Sequence, residues 1–137
     1  MCRKQAGLDA PPPGGYLYQD EHWRVCHAPA DSAYLGTLIV ESRRHFLDFA
    51  EMNEDETTSY GALLRRLYRA VRSITTVERL YQILLLEGTA HFHVWLVPRL
   101  PGNPVRGLEL LAQPARCETL EAEQLSVRLR AYLVENS

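Results

Sequence analysis

The sequence predicts an α+β fold: an antiparallel sheet of about five strands packed with two main helices. Two observations carry this. Short β-rich runs alternate with turn residues, while two longer segments repeat apolar residues at three- and four-residue spacing. Their order is strands, helix, two strands, helix, which favours antiparallel pairing of neighbours. Residues 1–15 read as a flexible leader ending in the Pro/Gly cluster PPPGG, and residues 16–137 as a single domain.

The first two strands are expected at residues 16–19 and 22–27, around the turn residues Asp20 and Glu21, with Trp23, Val25 and His27 on one face by alternation. LGTLIVE, residues 35–41, is a third strand rich in β-branched residues. Asn53 with Glu56 three residues later forms a capping box. Leu63, Leu64, Leu67, Tyr68 and Val71 then give that helix one buried stripe. Its acidic amino end (Glu54, Asp55, Glu56) and basic carboxyl end (Arg69, Arg72) both suit the helix dipole. ERLYQILLLE, residues 78–87, is a continuous apolar run, as expected of a central strand covered on both faces. Gly88 and Thr89 turn the chain into a strand over residues 91–97. Residues 99–117 form a long loop of the kind that covers a site or an interface. A last helix from about Thr119 to Glu135 places Leu125, Leu129, Tyr132 and Leu133 on one side.

Of the 137 residues, 46% are apolar and 23% charged, proportions of a folded chain rather than a disordered one. A formal charge of −2 argues against a dedicated nucleic-acid binder. No stretch approaches the roughly 18 apolar residues needed to span a bilayer. Cys2, Cys26 and Cys117 are odd in number, widely spaced and without a C-x-x-C pair, which favours reduced thiols in a cytoplasm. The opening MCRKQAGLDA has cations but no apolar core after them, so no secretory signal and no membrane partner is expected.

The chemistry concentrates in HFHVWLVPR, residues 91–99. In an extended strand His91, His93 and Trp95 share one face, and Phe92, Val94 and Leu96 the other, which is core. Three readings of the two imidazoles compete. They are satisfied polar residues at a sheet edge; or they are two ligands of a metal site completed by His45, His27, a carboxylate or Cys2; or one of them is a nucleophile that attacks phosphorus.

HFHVWLVPR resembles the signature of the histidine triad (HIT) family, in which three histidines alternate with apolar residues before two apolar residues and often Pro-Arg. Counting back from Pro98 and Arg99 sets His91, His93 and Trp95 on the three triad positions. The segment YQDEHWRVCHAPADSAYLGTLIVESRRHFLDFAEM is similar to the family's amino-terminal strands, its Gly-led strand and the basic-plus-His segment after it, here 42–45. The likeness covers roughly residues 16–99.

The resemblance implies a HIT-like fold, usually a homodimer without cofactor, that cleaves a phosphoanhydride or phosphoramidate of a nucleotide, such as a dinucleoside polyphosphate. His93 corresponds to the family's nucleophile, which forms a nucleotidyl-histidine discharged by water or another acceptor. His91 corresponds to the histidine that supports the site and helps bind phosphate. Trp95 stands where the third histidine contacts the phosphate and leaving-group side. An indole donates one hydrogen bond but neither accepts nor shuttles a proton, so acid assistance there depends on an imidazole this chain lacks. Thr89 substitutes for the hydroxyl of a Gly-Gln-Ser/Thr stretch, and His27 stands where many members carry an acidic ribose-binding residue. No early C-x-x-C is present, so no structural zinc is expected. The resemblance inclines His45 to a role near the phosphates rather than in a solvated loop. Arg99 either faces an anion or is an exposed flanking charge. Arg65, Arg66, Arg69 and Arg72 read as the wet face of their helix, and Cys26 and Cys117 as packing residues. Two alternatives to the hydrolase stand beside it: a non-catalytic nucleotide-binding or regulatory module, and a metal-dependent enzyme using the H-x-H pair.

Overall fold

A computed structural model describes residues 11–87 and 90–137; the leader through residue 10, with Cys2, and the turn at Gly88 and Thr89 lie outside the described residues. Among the described residues five strands make one antiparallel sheet: β1 (Tyr16–Gln19), β2 (Trp23–His27), β3 (Leu38–Ser42), β4 (Arg79–Ile83) and β5 (His93–Arg99). Their spatial order is β1-β2-β3-β5-β4. Among the described residues three α-helices accompany them: α1 (Glu54–Ile74), the short α2 (Gly107–Ala112) and α3 (Thr119–Glu135). No described helix is long and apolar enough to cross a membrane.

Alternation gives the sheet two unlike faces. Trp23, Val25, Leu38, Val40, Val94 and Leu96 meet Leu63, Leu64, Leu67, Ala70 and Val71 of α1 and Leu125, Leu129 and Leu133 of α3 in the main core. Cys26 and Ile39 lie on the other face, where they cluster with Ala28 and Ala33 under Tyr16 and Trp95. Helix α1 starts where its cap dictates: Asn53 Oδ1 accepts from the Glu56 amide at 2.9 Å, and Glu56 Oε1 accepts from the Asn53 amide at 2.9 Å. The α3 stripe is likewise as expected, with Leu125, Leu129 and Leu133 buried.

Three expectations need correction. The run 78–87 is not a central strand. Its paired part is β4, at the sheet edge, because β5 pairs with β3 on one side and with β4 on the other. The ladder stops at Ile83, leaving Leu84 38% and Leu85 74% exposed. An apolar run reports burial, and a central strand and an edge strand under a covering segment look alike by that measure.

Strand β5 also sits two residues later than expected. His91 lies in a bend before it, while Pro98 and Arg99 belong to it. Proline is tolerated there because β3 pairs only as far as Leu96, so Pro98 has no amide to supply on that side. Finally, 99–117 is not structureless: α2 interrupts it, tied down by the Gly107 amide on Tyr81 Oη (2.8 Å) and by Tyr34 Oη on the Leu110 carbonyl (3.3 Å).

Candidate active site

The site begins with one backbone contact. His93 opens β5, half-buried on the sheet face that α1 and α3 leave open, and its Nδ1 lies 2.7 Å from the carbonyl of His91. A carbonyl only accepts, so Nδ1 carries the proton and Nε2 keeps its lone pair. The bend at His91 makes this possible by turning that carbonyl back toward the ring.

His91 is fixed by similar logic. Its Nε2 is 2.8 Å from the Ser42 carbonyl and 3.2 Å from Ser42 Oγ, which itself donates to the Arg44 carbonyl at 2.7 Å. Nε2 therefore holds the proton, and the bare Nδ1 accepts from Nδ1 of His45 at 3.1 Å. His91 is 1% exposed, and burial holds its pKa below the ordinary histidine value, with the His45 and His93 rings adding to that. It is a buried ring of fixed tautomer that joins the end of β3 to the His45 ring.

His45 is exposed, on a segment held by its neighbour. Arg44 donates from Nε and Nη2 to Glu56 at 3.0 and 2.8 Å, and from Nη2 to the Glu51 carbonyl at 2.6 Å. The guanidinium holds the Glu56 carboxyl below the usual carboxylate range, and its own pKa is raised in turn. The cap of α1 thus also anchors the approach to the site. His45, His91 and His93 are brought together; among the described residues, no group of three or more His, Cys, Asp or Glu is arranged to hold a metal.

Trp95, half-buried and two residues along the same face, packs on the Cys26, Ala28, Ala33 and Ile39 cluster. It forms part of a cavity of about 450 Å³ whose lining includes Ile83, Val97, Tyr34, Thr37 and Gln113. Leu111, Gln113, Pro114 and Ala115 of the segment after β5 contribute to its lining, and Trp95 and Val97 set it further along β5 than His93.

Two of the expected contacts are not made. His27 shares the face of Trp23 and Val25, opposite Leu38, so it points to the helix side of the sheet and not toward His93. It is fully buried, its Nδ1 donates to the Ala28 carbonyl at 2.7 Å, and its Nε2 accepts from the Gly36 amide at 2.9 Å. Burial lowers its pKa, and both nitrogens are used to hold the tight Gly36 turn, where φ is +95°. Arg99 is at the far end of β5, roughly 20 Å from His93 at strand spacing. It is 4% exposed, with Nη2 3.6 Å from Glu78 Oε1, so it is neither an exposed flanking charge nor a neighbour of the histidines. Thr89 lies outside the described residues.

Sequence reasoning missed Glu41, Tyr16 and Arg24. Register sets Arg24 opposite Glu41 and Glu41 opposite His93, and Tyr16 Oη donates to Glu41 Oε1 at 3.2 Å. Arg24 lies over the Tyr16 ring, 5.4 Å from its centroid. The available signal was an acid closing a β-branched run.

No family model matches the chain, and no curated protein matches it. Solved structures do. A histidine triad protein from Marinobacter aquaeolei VT8 is 10% identical with a TM-score of 0.74, over 100% of this chain and 97% of that one. A zinc-bound histidine triad family protein from Mycobacterium smegmatis is 21% identical with a TM-score of 0.70, over 98% and 92%. A uridylyltransferase is 15% identical with a TM-score of 0.69, over 98% of this chain and 46% of that one. At these identities the likeness is one of fold, and the fold is that of the histidine triad proteins.

Proposed function

We propose that the chain is a nucleotide phosphohydrolase or nucleotidyl transferase of the histidine triad type, with His93 as its nucleophile. The observation that carries this is the 2.7 Å contact between His93 Nδ1 and the His91 carbonyl, which presents Nε2 as a lone pair on the open face. A neutral imidazole of fixed tautomer is a competent nucleophile near pH 7, and its cationic adduct is a good leaving group. Nε2 attacks the α-phosphorus, and the bond from phosphorus to the leaving group breaks with its electron pair on that group. Water or another acceptor then attacks phosphorus, and the pair of the P–N bond returns to Nε2. In this reading His91 and His45 help hold the phosphate, and the cavity of about 450 Å³ lined by Trp95 and Tyr34 is of a size to take the rest of the nucleotide. Thr89 remains a candidate for the hydroxyl contact, and the homodimer expected from the resemblance is part of the same reading. Transfer is supported as an outcome by the uridylyltransferase among the fold's relatives.

Trp95 sets the substrate preference. It cannot protonate a departing amine, so phosphoanhydrides, whose leaving phosphate departs as an anion, are favoured over phosphoramidates. Trp95 also favours a second reading, nucleotide binding without turnover. The test is intact-protein mass spectrometry after brief incubation with a dinucleoside polyphosphate and, separately, a nucleoside phosphoramidate, quenched at alkaline pH. A nucleotidyl increment with the first that vanishes in His93→Ala is expected. Turnover unchanged in His93→Ala would overturn the proposal, and nucleotide binding with neither increment nor turnover would establish the second reading.

A further inference from the structure

Beside the nucleophile lies a carboxylate that the histidine motif does not contain. Glu41 is the residue of β3 directly opposite His93 on β5, so the two side chains leave the same face of the sheet. Such pairs have Cβ atoms about 4.5–5.5 Å apart. Glu41 is nevertheless fully buried. A carboxylate is costly to hold there unless polar groups are built around it, and these are present: Tyr16 donates to it from β1, while Arg24 sits across from it on β2 and over the Tyr16 ring. Burial and the nearby carboxylate both raise the Tyr16 pKa, which keeps the phenol protonated as a donor. Arg24, Tyr16, Glu41 and His93 thus form a polar row across four strands, ending at the attacking ring.

We infer that Glu41 is a positioning residue for the nucleophile, a fixed negative charge that stabilises the positive charge His93 acquires when it carries a nucleotidyl group. The inference rests on the reading of His93 as nucleophile. When Nε2 bonds to phosphorus, the leaving group departs with the electron pair of its own bond, Nδ1 keeps its proton on the His91 carbonyl, and the ring becomes cationic. His91 cannot balance that charge, being neutral, and His45 stands beyond it. Among the described residues, the titratable and charged groups on this side are Glu41 of β3, directly opposite His93, then Arg24 of β2 and Tyr16 of β1 beyond it, with His91 and His45 before the start of β5; Ile83 of β4 pairs with Trp95. Glu41 is the carboxyl group of that set.

A charge that stabilises the adduct changes its two half-reactions in opposite directions. Without it, formation slows because cationic character is growing in the ring, and hydrolysis quickens because that character is being lost as the pair returns to Nε2. A residue that merely supports the fold slows both or neither.

The experiment measures adduct formation and, after removal of excess substrate, adduct hydrolysis by quenched mass spectrometry with a dinucleoside polyphosphate. It compares the full chain with Glu41→Gln, Glu41→Asp and Tyr16→Phe, each checked for an intact thermal transition. Glu41→Gln is expected to slow formation on the order of tenfold, the scale of one neighbouring opposite charge, and to shorten the adduct's lifetime. Glu41→Asp, which keeps the charge, should restore both rate constants in part. Tyr16→Phe, a milder change that leaves the carboxylate in place, should alter them in the Gln direction. Equal slowing of both steps, or neither changing, in Glu41→Gln and Tyr16→Phe overturns the inference and leaves the nucleophile standing. No adduct and no turnover in the unmodified chain overturns both.

Discussion

His45 and His91 meet through their Nδ1 atoms at 3.1 Å, and the single proton between the rings belongs to His45, because His91 already gives its own to the Ser42 carbonyl. The contact needs His91 neutral, and burial lowers the pKa of both His91 and His27 below the ordinary 6.5. Below that pH the unfolded chain takes up protons that the native rings refuse, so the native state loses ground as pH falls. The urea midpoint is expected to be lower at pH 5.5 than at pH 7.5, with the drop reduced in His91→Gln. An identical drop in that variant would show that His91 does not contribute.

His27 is expected to matter for stability and not for substrate. Its ring links the Ala28 carbonyl to the Gly36 amide inside the protein, so His27→Ala strands a buried donor and a buried acceptor. Such losses cost about 1–3 kcal/mol each. Urea unfolding should show destabilisation of that order, while the nucleotide dissociation constant of the folded variant stays as it was. Weaker nucleotide binding with unchanged stability would return His27 to the ligand.

Glu56 joins the start of α1 to the approach to the site, since one carboxylate caps Asn53 and receives Arg44. Asn53→Ala removes only half of the capping box and should cost about 1 kcal/mol. Glu56→Ala should cost more in the same urea assay. It should also lower the rate of adduct formation, because Arg44, next to His45, loses its main partner. The bridge holds the Glu56 carboxyl below its ordinary 4.5, so its stabilisation is full above that pH and fades as pH falls through the lowered value. Equal stability losses in the two variants would mean that Arg44 contributes nothing through Glu56.

Local chemistry was readable in the sequence wherever it was sufficient. The Asn53–Glu56 box, the α1 and α3 stripes and the first two strands follow from residues within one turn or one pleat of each other. What was hidden depends on partners far along the chain. Nothing near Glu41 says that it pairs with His93 rather than with a residue two positions away, because register is a property of two strands and not of one. The edge position of β4 has the same origin. His27 is a different case: alternation already set it on the face of Trp23 and Val25, which the structure makes the core face, and a positional match to a ribose-binding acid could not change which way it points. The bend at His91 was concealed because alternating residues look the same whether the strand begins at 91 or 93, yet that bend supplies the carbonyl that orients the His93 ring.

Trp95→His is the substitution that tests what the third position does. The indole lines one wall of the cavity further along β5 and rests on Cys26, Ala28, Ala33 and Ile39. An imidazole there sits on the same face two residues from His93 and adds a group able to give a proton to the departing atom of the proposed reaction. General acid assistance is worth about 10²–10⁴-fold when the leaving group needs it. The phosphoramidate should therefore gain roughly 10²-fold or more in turnover, while the dinucleoside polyphosphate, whose leaving phosphate needs little help, changes much less. Part of the indole's burial is lost, so stability should fall by about 1–2 kcal/mol. Comparing kcat/KM for the two substrates separates leaving-group assistance from a general change in binding, which would move both alike. A gain confined to the polyphosphate would mean that the tryptophan obstructs the pocket rather than withholding a proton.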